Sequence, residues 1–389
     1  MRDEKMSYVI IGNPDSIWIK KYIEKVILQK DEYKIYIIDL GERKEGIYKK
    51  YYDDNGVEIV RIPKRKIQKL PLIGSWLYSH TVARYIKKTI SPDVIHAHFI
   101  TWQSVCMLAQ LKEHHNIVIA TYWGSDILRE TRLKLLLSEL WLGKVDKITL
   151  ATTEMRSKFN RFYKGKYEEK VFPLIFGVNG FEYLDRMDHN SDYYKPFYGI
   201  PKANITITVG YNGARGQQQI EVLKAIDRLS VTVKKKIFVI VPMTYGVPSD
   251  TYIEEIDSYL NKMNISGYAI LKQYMDDEIS ARLKCVTDLF VHAQVTDAFS
   301  ASVQEFLYAE KLVLNPSWIR YDELLKKGVF FLTYDSFDTL DKCLESAIEA
   351  FLCEKYKRKL EQNMEILHDF TSWEAVTSNW RVLYKDVRP

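Results

Sequence analysis

Cysteine is scarce and unpatterned. Cys106, Cys285, Cys343 and Cys353 form no C-x-x-C pair and have no histidine at ligand spacing. That excludes a disulfide framework and reads as reduced thiols of a cytosolic protein. Long apolar runs are absent too; nothing approaches the roughly 20 residues needed to cross a bilayer. The opening segment, Met1 to Met6, runs into a short strand without the apolar stretch of a secretory leader. Repeats of solenoid length and low-complexity tracts are also missing, which removes solenoids and disordered linkers from the options. The expectation from these absences is a cytoplasmic globular protein.

What is present suits two domains. The 389 residues exceed one ordinary domain, and 47% hydrophobic with 13% aromatic content can fill two cores. A net charge of +5 is too weakly basic to argue for a nucleic-acid partner.

Short apolar runs alternate with longer amphipathic stretches throughout, which predicts α/β architecture with parallel sheets. In the first half the strands are expected at Tyr8–Ile11, Lys34–Ile38, Val57–Arg61, Val94–Ala97, Ile117–Ala120, Lys147–Ala151 and Val171–Pro173, with helices such as Ser16–Gln29, Ser75–Ile90 and Trp102–Glu113. In the second they are expected at Ile205–Gly210, Ile237–Val241, Ala269–Leu271, Leu289–Ala293, Leu312–Asn315 and Phe330–Leu332. The polar, aperiodic stretch from Asp185 to Asp192 reads as the linker. Phe370 to Tyr384 carries a capping candidate and a helical apolar stripe.

Three loops in the second half carry chemistry. After the strand ending at Ala293 comes Thr296-Asp297-Ala298-Phe299-Ser300-Ala301, then a helix bearing Glu305. One carboxylate thus falls in the loop and one two turns into the helix, both at the carboxyl edge of a parallel sheet, where ligands bind. The helix start offers free N–H groups to an anion. Val209-Gly210-Tyr211-Asn212-Gly213-Ala214-Arg215-Gly216 follows another strand. Its glycines permit close backbone approach, and Arg215 puts a permanent cation beside a helix N-terminus, a setting for a diphosphate. A plain turn with a solvated arginine reads equally from these residues. Gln273-Tyr274-Met275 precedes Asp276 and Asp277, which also read as simple helix caps.

Order and spacing of these segments resemble family-4 glycosyltransferases of the GT-B fold. Their E-x7-E signature, opening E-G-F-G, stands here as Asp297-Ala298-Phe299-Ser300 and Glu305, with Asp for the first Glu and Ala and Ser for the glycines. Their V-G-R-x-x-x-K-G has Arg215 at the Lys position and Tyr211 at the Arg position. A glycine loop with a single arginine is also similar to bacterial fucosamine and fucosyl transferases. The resemblance implies that Glu305 takes the ribose hydroxyls, that Asp297 meets the donor sugar, and that Gly213, Arg215, Gln273, Tyr274, Met275, Phe299, Ser300 and Ala301 complete the donor site. Arg215 and Asp297, with Asp126, are the expected catalytic residues. Glu305→Ala is expected to spare the fold, the carboxylate being read as lying on a polar edge rather than in a core.

The first half is similar to the same family. Asp93-Val94-Ile95-His96-Ala97-His98 resembles its "DvIHaH" strand, with both histidines on one face. They read as structural or cleft-lining; a metal would need a third ligand that is not evident. Ala120-Thr121-Tyr122-Trp123-Gly124-Ser125-Asp126 stands at T-x-H-G-x-D, with Trp123 for the histidine. Asp126 then either orients the acceptor hydroxyl or caps the next helix. Asn13, His98, Trp123 and Gly124 are the expected acceptor-side residues. Pro173 to Asn179 resembles the "PnGvD" segment, with Asn179 for Asp.

No apolar strand ends in D-x-D, so no metal or other cofactor is expected. From Arg61 to Pro92 there is no acidic residue, while Lys64, Arg65, Lys66, Lys69, Arg84, Lys87 and Lys88 alternate with apolar and aromatic side chains. This stretch suits an anionic membrane surface or a lipid-pyrophosphate acceptor, or else is a packing helix with a solvated edge. The expectation is therefore a GT-B glycosyltransferase: two Rossmann-like domains, 1–190 for the acceptor and 200–370 for the nucleotide-sugar, facing across a cleft. The closing helix, 371–389, returns to the first domain. The expected reaction moves a sugar, with retention, to a glycan or lipid-linked hydroxyl in surface-polysaccharide assembly, on the inner face of the membrane if the basic segment docks there. A nucleotide-sugar epimerase and a non-catalytic subunit are the alternatives.

Overall fold

In the computed structural model, residues 5–29, 32–41, 46–69 and 73–387 are described. The chain divides into two compact units. One comprises residues up to Gly177 together with the chain from Trp373; the other is Val178–Ser372.

The first unit holds a parallel sheet of seven strands in the order β3-β2-β1-β4-β5-β6-β7. These are β1 Met6–Ile11, β2 Tyr33–Asp39, β3 Glu58–Arg61, β4 Val94–His98, β5 Ile117–Thr121, β6 Lys147–Thr149 and β7 Val171–Phe172. β4 is buried along its whole length, as expected of a strand covered by helices on both faces. The expected helix after β1 forms as Ile17–Tyr22 and continues as a π turn over Ile23–Ile27. The helix after β4, Trp102–Leu111, starts at Thr101, whose hydroxyl accepts from the Ser104 amide while Ser104 caps in return. The last helix, Trp373–Arg381, belongs to this unit. Its Trp380 is fully buried, lies on Tyr22 and Phe176, and donates from Nε1 to the Ile175 carbonyl at 2.7 Å.

The second unit holds six parallel strands in the order β10-β9-β8-β11-β12-β13. They are β8 Ile205–Val209, β9 Ile237–Pro242, β10 Gly267–Leu271, β11 Leu289–Val291, β12 Leu312–Pro316 and β13 Leu332–Tyr334. All the expected strands form, the last displaced so that only Leu332 is shared. In both sheets the strand order reverses once, between β1 and β4 and between β8 and β11, and ligands of open α/β sheets bind at the carboxyl ends there.

The linker expectation is corrected. The division falls at Gly177, ahead of the polar stretch 185–192, because that stretch is tied into the second unit. Phe181 stacks on Tyr308 with centroids 3.9 Å apart, Tyr308 donates to Asp185, Lys311 to the His189 carbonyl and Ser191 to Asp288. Polar residues with specific partners look the same in sequence as a solvated tether.

Candidate functional site

At the reversal in the second sheet, β8 and β11 end in register, Val209 against Val291, so the loops after them leave from one edge. Gly210 turns the chain there with φ +66. Arg215 follows in a 3-10 turn, largely exposed, its guanidinium over the Tyr252 ring at 4.2 Å and 3.6 Å from Glu255. Gly213 lies in the same loop. Its N–H is taken by the Tyr245 carbonyl at 2.8 Å, and a Cβ there would run into Val247, so it packs one loop against the next.

After β11, Asp297 is nearly covered, and its Oδ2 accepts the Tyr211 hydroxyl at 2.9 Å. Burial first, then Asp297, holds the Tyr211 phenol well above its ordinary range, so it stays a donor. His292 Nε2 lies 3.6 Å from the same oxygen. Ser300 caps the helix Ala301–Tyr308 by accepting the Val303 amide at 3.3 Å, while the amides of Ala301 and Ser302 find no acceptor among the described residues. Phe299 is partly buried and turns onto Tyr321 and Phe370.

Glu305 is not a free edge carboxylate. Its Oε2 pairs with Lys284 Nζ at 2.8 Å; the lysine is nearly buried and also donates to Ser280 Oγ at 2.6 Å. Gly180 makes room for this, since a Cβ there would come within 2.5 Å of Glu305 Oε1. Oε1 takes no hydrogen bond among the described residues. Tyr245 stands nearby: desolvation raises its hydroxyl, and the Glu305 and Asp297 carboxylates both add to the shift. In the loop after β10, Gln273 and Tyr274 are exposed and Met275 packs into the core; Asp276 caps the next helix through the Ile279 amide.

Sequence reasoning missed Lys284 and His292. Lys284 pairs across 21 positions, which no local pattern signals. His292 was legible as the one ionisable side chain within an otherwise apolar strand.

In the first unit, His96 is tied to Tyr8 through Nδ1 at 2.8 Å and to Thr121 through Nε2 at 2.6 Å, a structural histidine kept neutral by burial. His98, both of whose ring nitrogens lack a partner among the described residues, packs among Tyr22, Trp123 and Phe176, and burial lowers it to about 3. Trp123 borders it, its Nε1 also without a partner.

Asp126 is engaged by backbone amides, which is the capping one of its two readings. It is 3% exposed, and its oxygens accept the amides of Ile100, Trp123 and Gly124 at 2.7–3.1 Å. It clamps the loop after β4 to the turn after β5, where Gly124 has φ +120, and burial pushes its carboxyl up to about 6. Asn13 makes the turn after β1, accepting the Asp15 amide at 3.0 Å. No group of three or more potential metal ligands occurs among the described residues.

Residues 9–153 match the family model described as glycosyl transferase 4-like, which spans β1 to β6 apart from the start of β1. No curated protein gives a significant sequence match. The chain is similar along its length to a glycosyltransferase from Rickettsia africae, with TM-score 0.77, 14% identity and 99% of each chain covered. It is similar to Anabaena HepE, solved with UDP and glucose, with TM-score 0.72, 12% identity, and 97% of this chain and 98% of that one covered. A UDP-forming trehalose-phosphate synthase from Burkholderia xenovorans gives TM-score 0.74, 11% identity and 99% coverage of each chain. At these identities the likeness shows the fold, which is GT-B, as read from the sequence.

Proposed function

We propose that the chain is a glycosyltransferase that moves a sugar from a nucleotide-sugar to a hydroxyl acceptor. The observation that carries this is that Arg215 and Asp297 stand on the loops after β8 and β11, and Glu305 on the helix that follows the second loop, at the point where the strand order reverses. Arg215 and the unpaired amides of Ala301 and Ser302 supply positive potential for a diphosphate, whose charge grows as it departs. Glu305 Oε1, its twin oxygen held by Lys284, is the acceptor for ribose hydroxyls. Asp297 lies where the donor sugar would enter, and retention of configuration follows from the family-4 resemblance. The donor complexes of Anabaena HepE favour UDP as the first nucleotide to try. No metal enters the proposal; arginine and amides take that part.

The acceptor is proposed to be lipid-linked, as in surface-polysaccharide assembly, with the protein peripheral to an anionic membrane. Support comes from the helix Ile73–Thr89, which exposes Ile73, Trp76 and Tyr85 beside Arg84 and Lys88. A groove of about 550 Å³ opens there, lined by Trp76, His80, Arg84 and Trp141 among others. Leu133, Leu136 and Leu140 are exposed on the nearby helix Arg132–Leu142.

A panel of nucleoside diphosphates and their sugars, read by thermal shift and by release of nucleoside diphosphate, tests the proposal. One nucleotide class should stabilise the protein, and its sugar should turn over when acceptor is supplied. Stabilisation by none would contradict it, and a nucleotide-sugar isomerised without acceptor would favour an epimerase.

A further inference from the structure

His292 is fully buried immediately after β11, yet one ring nitrogen faces the candidate site. Its other side is fixed. Asn315 donates from Nδ2 to the carbonyls of Pro316 and Ile319, both at 2.9 Å, so its Oδ1 is the acceptor 2.9 Å from His292 Nδ1. Nδ1 therefore carries a proton, and Nε2 is the atom whose proton can come and go. Among the described residues Nε2 has no hydrogen-bond partner, and it lies 3.6 Å from Asp297 Oδ2.

The surroundings leave this pair to itself. From the end of β8 comes Tyr211, neutral and donating to the same Oδ2; from the loop after β12 comes Tyr321, stacked at 6.1 Å and also kept neutral by burial. Phe290 stacks from the same strand, and Tyr334 donates to the His292 carbonyl. No lysine or arginine pairs with Asp297 among the described residues.

We propose that His292 is a positioning residue that anchors Asp297 and sets the charge of the nucleotide-sugar site through a proton on Nε2. Asp297 Oδ2 accepts the Tyr211 hydroxyl and faces His292 Nε2 at 3.6 Å, which leaves Oδ1 for the ligand. With Nε2 protonated, the pair is neutral and tolerates a diphosphate beside it. Without that proton, a bare carboxylate opposes the incoming anion. The ligand part rests on the nucleotide-sugar reading above; the proton coupling does not.

Two measurements separate them. Ring-nitrogen NMR of the full chain without nucleotide should show Nδ1 protonated throughout, and protonation of Nε2 should move to lower pH in Asp297→Asn. An unchanged Nε2 response in Asp297→Asn overturns the proposal. UDP affinity is then compared between wild type and His292→Gln, so that the nucleotide's own ionisation cancels. Between the Nε2-protonated and Nε2-deprotonated ends of the NMR titration the wild type should lose roughly fivefold relative to the variant, the effect of one nearby charge. Parallel pH profiles would overturn the charge-setting role. An Nε2 response that depends on Asp297, without UDP binding to any form, would sustain the coupling and overturn UDP as the ligand of this site.

Discussion

Glu305 shows how a residue can be found by spacing and still be misread. The eight-position interval to Asp297 located it in the sequence, but the Lys284 ammonium that holds it comes from another helix. The expectation that Glu305→Ala spares the fold is therefore revised. Removing one partner of a nearly buried pair leaves an unpaired charge and should cost about 3 kcal/mol. Glu305→Ala should lower the urea midpoint clearly, and Glu305→Ala with Lys284→Met should recover much of the loss. A single variant as stable as wild type would show that water, not Glu305, satisfies the lysine. Arg215 differs, because among the described residues its exposed guanidinium meets only Glu255 at 3.6 Å and the face of Tyr252. Replacing it should leave stability nearly unchanged.

At the scale of elements, the strands were readable because each is a short apolar run between turn signals, and β4 with its two histidines was readable by period two. What escaped was the use of loops to hold one another, as Asp126 does for the loop after β4, since amide partners leave no trace in side-chain pattern. β4 also carries a pH consequence. His98 sits at about 3 in the folded chain, below its unfolded value, so the stability linked to it is present above about pH 6.5 and is lost as pH falls. The loss approaches about 1.4 kcal/mol per pH unit. Denaturation midpoints of His98→Phe should fall less steeply than wild type between pH 6 and pH 4; identical slopes would mean that His98 is solvated. The helix Ile73–Thr89 offers a separate test. Co-sedimentation with anionic vesicles should be salt-sensitive and lost on changing Arg65, Lys66, Arg84 and Lys88 to Gln, at roughly 1 kcal/mol each. Lys87 is omitted because it pairs with Glu113 at 3.0 Å. Equal sedimentation of both proteins would leave a packing helix with a solvated edge.

For the whole molecule, parallel sheets follow from the alternation of apolar and amphipathic segments, whereas the one reversal in each is seen only in the strand order. The chain's return to the first unit at Trp373 was legible only through the GT-B resemblance; Trp373 and Trp380 are buried in that unit's core. The exact division was not legible, because Gly177 is marked only by tertiary packing: a Cβ there would strike Trp373 at 2.4 Å. At this scale chelation should leave turnover within a few-fold, and strict dependence on Mg²⁺ or Mn²⁺ would reveal a site formed only with substrate. The account stands most directly on calorimetric titration of nucleoside diphosphates, UDP first, into wild type and Arg215→Ala. It predicts saturable one-to-one binding to the wild type and a loss of at least tenfold in the variant, consistent with a charge-assisted contact of roughly 1.5–3 kcal/mol. Equal affinity in the two proteins, or no binding to either, would contradict it.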